Sequence, residues 1–173
     1  HQGVMIEVNS FKYASLEDLK EAKRLILLDK IEDPHNLGAI IRSAESFGFD
    51  GVIIPEHRSA KVNPTVYKTS AGAINNIKIF MVTNLNQTIE TIKKDGFWVY
   101  GLAGEAKNSL SATNLTGRVA IVVGNEGDGI SRLVRDNCDQ LIKIPMLGKV
   151  NSLNASVAAA TCMYEVLRQN DFQ

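Results

Sequence analysis

Six short apolar runs, rich in β-branched residues and evenly separated by helix-like stretches, leave this chain few folds to choose from. The runs are 24–29, 51–54, 77–82, 97–102, 119–123 and 140–144. Each is too short for periodicity to separate a strand from a buried helix, but their regular spacing favours strands. Residues 36–47, 64–70, 85–94, 131–137 and 152–169 read as the helices between them. Strands apolar on both faces need cover on both faces. The expected class is therefore α/β, a parallel sheet flanked by helices.

The length of 173 residues fits one domain. Apolar residues at 45% and charged residues at 22% exclude disorder and low-complexity arrays. Lys plus Arg equals Asp plus Glu at 19 each, which excludes nucleic-acid binding by bulk charge but leaves room for a local basic patch. No apolar run approaches the roughly 18–20 residues of a membrane span, and the start carries no signal-peptide pattern. Cys138 and Cys162 cannot build a disulfide framework, so a reducing, cytoplasmic setting is expected. A first residue of histidine suggests that the natural start, and any partner domain, lie outside this sequence.

Two helices can be read closely. In the first, Leu37, Ile40, Ile41, Ala44 and Phe47 share one side, with Asn36 as the expected N-cap and Gly48 as a left-handed stop. Arg42 and Ser46 then point away from the apolar face. In the last, Ala155, Ala159, Cys162, Met163, Val166 and Leu167 form a broad stripe. Core packing and a dimer seam both explain that stripe.

Most familiar chemistries are missing. His1, His35 and His57 are not spaced as metal ligands with either cysteine, so no metal is expected. There is no nucleophile elbow, no Walker loop and no dinucleotide fingerprint. Three polar segments remain, each after an expected strand and before an expected helix. The first runs over 29–38 and leads into the Arg42 helix. The second, 122–129, ends a strand in Gly124, Gly127 and Gly129, with Glu126 among them. Those glycines allow close backbone approach to a ligand, while Glu126 would repel phosphate and suits a neutral or cationic group. The third, 144–154, carries Ser152 and Asn154, either of which can cap the last helix. Taken singly, each also reads as an ordinary capped loop or turn. Together, a parallel sheet would place Asn36, Glu126 and Asn154 on one edge, where ligands gather.

These segments resemble the three signature motifs of the SpoU (TrmH-type) RNA ribose 2′-O-methyltransferases, of the SPOUT class. The matching stretches are Asp33-Pro-His-Asn-Leu-Gly-Ala-Ile-Ile-Arg42, Gly124-Asn-Glu-Gly-Asp-Gly129, and Ile144-Pro-Met followed by Asn151-Ser-Leu-Asn-Ala-Ser156. They stand in the family's order and cover nearly the whole chain. The resemblance implies a C-terminal trefoil knot, against the general rule that chains do not knot. It implies S-adenosylmethionine in the knot loops, and a homodimer that completes the site. Gly124, Ile144, Met146 and Leu153 would hold the cofactor, with the turn at Leu102, Ala103 and Gly104.

The matched catalytic set is Asn36, Arg42, Glu126, Ser152 and Asn154. A guanidinium stays protonated, so Arg42 suits a positioned cation that stabilises a developing alkoxide and grips a phosphate, rather than a literal base. Asn36 would orient Arg42 or the ribose. Glu126 would hold a polar group of a neighbouring subunit or motif. Ser152 and Asn154 would support the pocket.

The opening His1-Gln-Gly-Val4 resembles the junction after the small RNA-binding domain of members that modify guanosine in large-subunit ribosomal RNA. Ribosomal rather than transfer RNA is the expected substrate, with the whole chain, 1–173, as the catalytic domain. Arg42, His57, Arg58, Lys61 and Lys68 are the local candidates for an RNA-facing patch; a plain solvated surface explains them equally. Two alternatives stay open: a transfer-RNA ribose methyltransferase, and a non-catalytic RNA-binding or ribosome-assembly module of the same fold.

Overall fold

A computed structural model describes residues 11–171. In chain order the elements are β1 (Arg24–Asp29), α1 (Pro34–Ser46), β2 (Gly51–Pro55), α2 (Pro64–Thr69), β3 (Lys78–Val82), α3 (Leu85–Lys94), β4 (Trp98–Leu102), β5 (Asn108–Ser109), β6 (Val119–Gly124), α4 (Arg132–Asn137), β7 (Gln140–Lys143) and α5 (Ala155–Asp171). The strands form one sheet in the order β3-β2-β1-β6-β4-β7-β5, and every pairing is parallel. The α/β expectation holds, and the expected runs match the strands to within one residue at each end.

Two-sided burial explains why the strands read as unbroken apolar runs. Along β1, Ile26 and Leu28 join one core layer with Ile40 and Ile41 of α1 and Cys162 and Met163 of α5. Leu25 and Leu27 point the other way and join Ile89 and Ile92 of α3 and Val134 of α4. All four β1 side chains are fully buried. Burying such a side chain stabilises the fold by about 1.5–3 kcal/mol before entropy is counted. The α5 stripe packs into the first layer through Ala155, Ala159, Cys162, Met163 and Val166, while Leu167 is half-buried.

α1 packs on both α2 and α5. The α1–α2 contact is close because Gly38 has no side chain: a Cβ there would stand 1.6 Å from Thr69 Oγ1. The start of α1 differs from expectation. Asp33, not Asn36, is the N-cap; its Oδ1 accepts from the His35 N–H at 2.9 Å, and Pro34 occupies the first turn. Asn36 is instead a buried first-turn residue. Gly48 does end α1 with a left-handed φ of 76°. The onset of α5 also differs, falling at Ala155 rather than at 152. Asn154 does the capping: its Oδ1 accepts from the N–H groups of Ser156 (2.9 Å) and Val157 (3.3 Å). His1–Val4 lies outside the described residues.

Candidate active site

Register brings the three polar segments together. Asp29, the last residue of β1, pairs beside Gly124, the last of β6. Leu102, the last of β4, pairs beside Ile142 of β7, two residues before Ile144. The carboxyl ends of β1, β6, β4 and β7 thus share one edge, and the loops that follow them meet there.

Hydrogen bonds fix those loops to one another. Asp29 Oδ2 accepts from the Ser131 N–H at 2.7 Å, tying the end of β1 to the start of α4. Asn125 Oδ1 accepts from the N–H groups of Gly127 (3.1 Å) and Asp128 (2.7 Å), curling the loop after β6. Asn125 and Gly129 then form a bridge, and a Cβ on Gly124 would stand 2.2 Å from the Gly129 carbonyl. Glycine at 124 is required by this backbone crossing. Glu126 Oε2 accepts from the Ala155 N–H at 2.8 Å, so the second segment also helps to cap the helix that follows the third. A carboxylate at a helix N-terminus is favoured by the exposed N–H groups and the helix dipole.

A cavity of about 130 Å³ opens between these loops. Leu102, Ala103, Gly104, Gly124, Ile144, Met146 and Leu153 all line it, which are the seven residues expected to hold a cofactor. Ser152 and Glu126 line it too. Its wall is mostly apolar, with backbone groups at the glycines and the Glu126 carboxylate at one side. That donor set fits a flat heteroaromatic base beside a positive centre. Two neighbouring cavities share Glu126. One, about 270 Å³, is lined by Asn36, Asp33, Glu32 and Lys30. The other, about 280 Å³, is lined by Glu105, Asp128 and Arg135. Small-molecule sites span about 300–1,000 Å³, so ligand-sized space needs these cavities in concert.

Not every expected site residue meets here. Asn36 and Glu126 share a cavity, and Ser152 shares another with Glu126. Asn154 is occupied as the α5 cap and lines none of the three. Arg42 stands exposed on α1 and lines none of the three, and its side chain makes no ion pair or hydrogen bond among the described residues. His57, Arg58 and Lys68 are also exposed, while Lys61 Nζ donates to the Ser59 carbonyl at 3.0 Å. Sequence reasoning passed over Asp29 and Asn125 as loop-fixing residues. For Asn125 a signal was present, since an Asn two residues before a Gly commonly builds a side-chain-closed turn.

Lys30, which joins β1 to this edge, has φ of 62°, a left-handed value uncommon for a residue with a side chain. Burial pushes the Cys138 and Cys162 thiols up to about 12, helped at Cys138 by Asp139. Both stay protonated at neutral pH and are unsuited to act as nucleophiles. Among the described residues no group of three or more His, Cys, Asp or Glu could hold a metal ion, and no helix is long and apolar enough to cross a membrane.

The parallel sheet, with a cavity built from the loops at its carboxyl edge, matches the fold of SpoU methyltransferases, which belong to the trefoil-knot SPOUT class of α/β folds. Residues 23–164 match the SpoU rRNA Methylase family, and the chain belongs to it. A TrmH family tRNA/rRNA methyltransferase of Staphylococcus aureus is 50% identical over 98% of this chain and 71% of its own length. One from Bacillus subtilis is 45% identical over 99% of this chain and 72% of its own. The SpoU methyltransferase AviRb of Streptomyces viridochromogenes superposes with a TM-score of 0.85 at 26% identity, over 92% of this chain. This chain spans 65% of AviRb, which has also been solved in complex with AdoMet.

Proposed function

We propose that this chain transfers a methyl group from S-adenosylmethionine to a ribose 2′-hydroxyl of RNA, at a guanosine of large-subunit ribosomal RNA. One observation carries the reading: the seven expected cofactor residues line a single cavity, which adjoins the Asn36 cavity at Glu126. Bound there, S-adenosylmethionine supplies a methyl group on a positively charged sulfur. The chain's part is to align that methyl with the hydroxyl oxygen and to favour loss of the hydroxyl proton to solvent. The apolar wall from Leu102 to Leu153 excludes water from the base. Glu126 complements the positive sulfur and holds α5 in place. Asn36 faces the ribose from the adjoining cavity.

Arg42 stabilises the developing alkoxide and grips a neighbouring phosphate. It lies off the three cavities of its own chain, so the reading pairs each cavity with Arg42 of a second copy. A homodimer provides this. Val157 and Tyr164, half exposed on α5, and Phe47 at the end of α1, edge-on to Tyr164, offer an apolar face for the pairing. Additional RNA grip belongs to an N-terminal domain outside this sequence, in keeping with relatives longer than this chain. The free cysteines suit a reducing cytoplasm.

The test is methyl transfer from labelled S-adenosylmethionine to ribosomal and transfer RNA, followed by mapping of the modified ribose. Label at a 2′-oxygen of large-subunit RNA supports the proposal. Label in transfer RNA alone replaces its substrate, and label on a base or none at all overturns it.

A further inference from the structure

Beside the proposed cofactor cavity lies the space of about 280 Å³ lined by Glu105, Asp128 and Arg135. The two share the turn 102–104 together with Glu126, Gly129, Asn151 and Ser152, so they adjoin and one ligand can span both. Arg135 supplies the one cationic side chain among the residues lining this second space; Glu105, Glu126 and Asp128 supply three carboxylates. Glu126 is already engaged with the Ala155 N–H.

Arg135 and Glu105 face each other across the rim, with Arg135 Nη1 at 2.5 Å from Glu105 Oε2. Their side chains are 36% and 56% exposed, so little water is excluded from the pair and it adds little to stability. Its placement calls for another reason. Arg135 Nε is buried from solvent and has no hydrogen-bond partner among the described residues. A buried donor without an acceptor is rare, and a guanidinium fork is built to take two oxygens at once. Arg135 is also well anchored. Its N–H donates to the Ser131 carbonyl at 2.9 Å, and the Ser131 N–H is held by Asp29.

A cation and an anion side by side match a ligand end that carries both charges. We propose that Arg135 and Glu105 form the subsite for the amino-acid end of the cofactor. The guanidinium takes the α-carboxylate and Glu105 takes the α-ammonium. The inference rests on the cofactor reading above and assigns the part of the ligand that the apolar cavity does not explain. The Arg135–Glu105 pair opens as the ligand enters, and each group exchanges its partner for the ligand's opposite charge.

Two ligands separate this subsite from the cavity. S-adenosylhomocysteine carries the amino-acid end; 5′-methylthioadenosine lacks it. Both are titrated by calorimetry into the wild-type chain and into Arg135→Gln, Arg135→Lys and Glu105→Gln, each first checked by thermal melting. Arg135→Gln is expected to weaken S-adenosylhomocysteine about tenfold, the loss of one charge-assisted contact, and to leave 5′-methylthioadenosine within about twofold. Arg135→Lys recovers part of the loss, and Glu105→Gln gives a smaller loss on the same ligand alone. Equal weakening of both ligands, or undiminished binding of S-adenosylhomocysteine, overturns the proposal. A wild-type chain that binds neither ligand overturns the cofactor reading itself, a result distinct from either.

Discussion

Glu126 Oε2 accepts the Ala155 N–H at 2.8 Å, so one carboxylate joins the loop after β6 to the first residue of α5. Two expected catalytic segments are thereby a single mechanical unit. Glu126→Ala removes both a helix-terminal acceptor and a charge, and is expected to cost about 1 kcal/mol. In a chain of this size that lowers Tm by about 2–4 °C. Glu126→Gln keeps an acceptor and falls between. Thermal melts and cofactor titrations check this together. A Glu126→Ala chain with unchanged Tm and unchanged affinity contradicts the linking role.

Gly38 sits where α1 meets α2, with Thr69 Oγ1 in the space a Cβ would need. Gly38→Ala is expected to destabilise by about 2 kcal/mol, in the range for overpacked contacts. Thr69→Ala removes the nearest atom and should recover part of that loss, so the two changes are not additive. Urea unfolding of both single variants and the double measures the coupling. Simple additivity would show that the contact is not the cause.

Arg42 is exposed and unpaired among the described residues, so truncating it has little to disturb in the fold. Arg42→Ala is expected to change stability by less than about 0.5 kcal/mol. Cofactor affinity stays within about twofold, while methyl transfer falls by about 100-fold or more, as when a transition-state donor is lost. Single-turnover rates and calorimetry on the same preparation separate these effects. Wild-type transfer by Arg42→Ala removes Arg42 from the chemistry.

Glu165, buried on α5, is held below the usual glutamate value of 4.5 by its hydrogen bonds from Arg168, with Gln169 adding a further one. A depressed folded value means the stabilisation is fully present above 4.5 and is lost as pH falls through the lower folded value. Arg168→Ala should therefore lower stability at neutral pH and flatten the acid limb of a plot of Tm against pH. An acid limb as steep as wild type contradicts the assignment.

The layers of the fold were legible because burial on both faces makes each long strand an apolar run, as in 24–29. β5 was not. It is two polar residues, Asn108 and Ser109, defined by pairing to β7 alone, and carries no pattern of its own. The insertion of β6 between β1 and β4 depends on long-range packing that no local signal encodes. Asp33 was overlooked as the α1 cap although Pro34 marks the first turn, the position where a missing N–H costs nothing. That seven separated residues would come to line one cavity was readable from the motif match, residue by residue. The exposed side of α1 that carries Arg42 was legible from the apolar spacing; what meets that face was not, since no local pattern encodes it.

The central claim is that the cavity bounded by Leu102, Gly124, Ile144 and Leu153 is an S-adenosylmethionine site. Calorimetric titration with S-adenosylmethionine, with ATP and NAD in parallel, tests it most directly. The account predicts saturable binding of S-adenosylmethionine and no heat from the other two. A folded, dimeric chain that stays silent to S-adenosylmethionine at millimolar concentration, or binds all three alike, would contradict it.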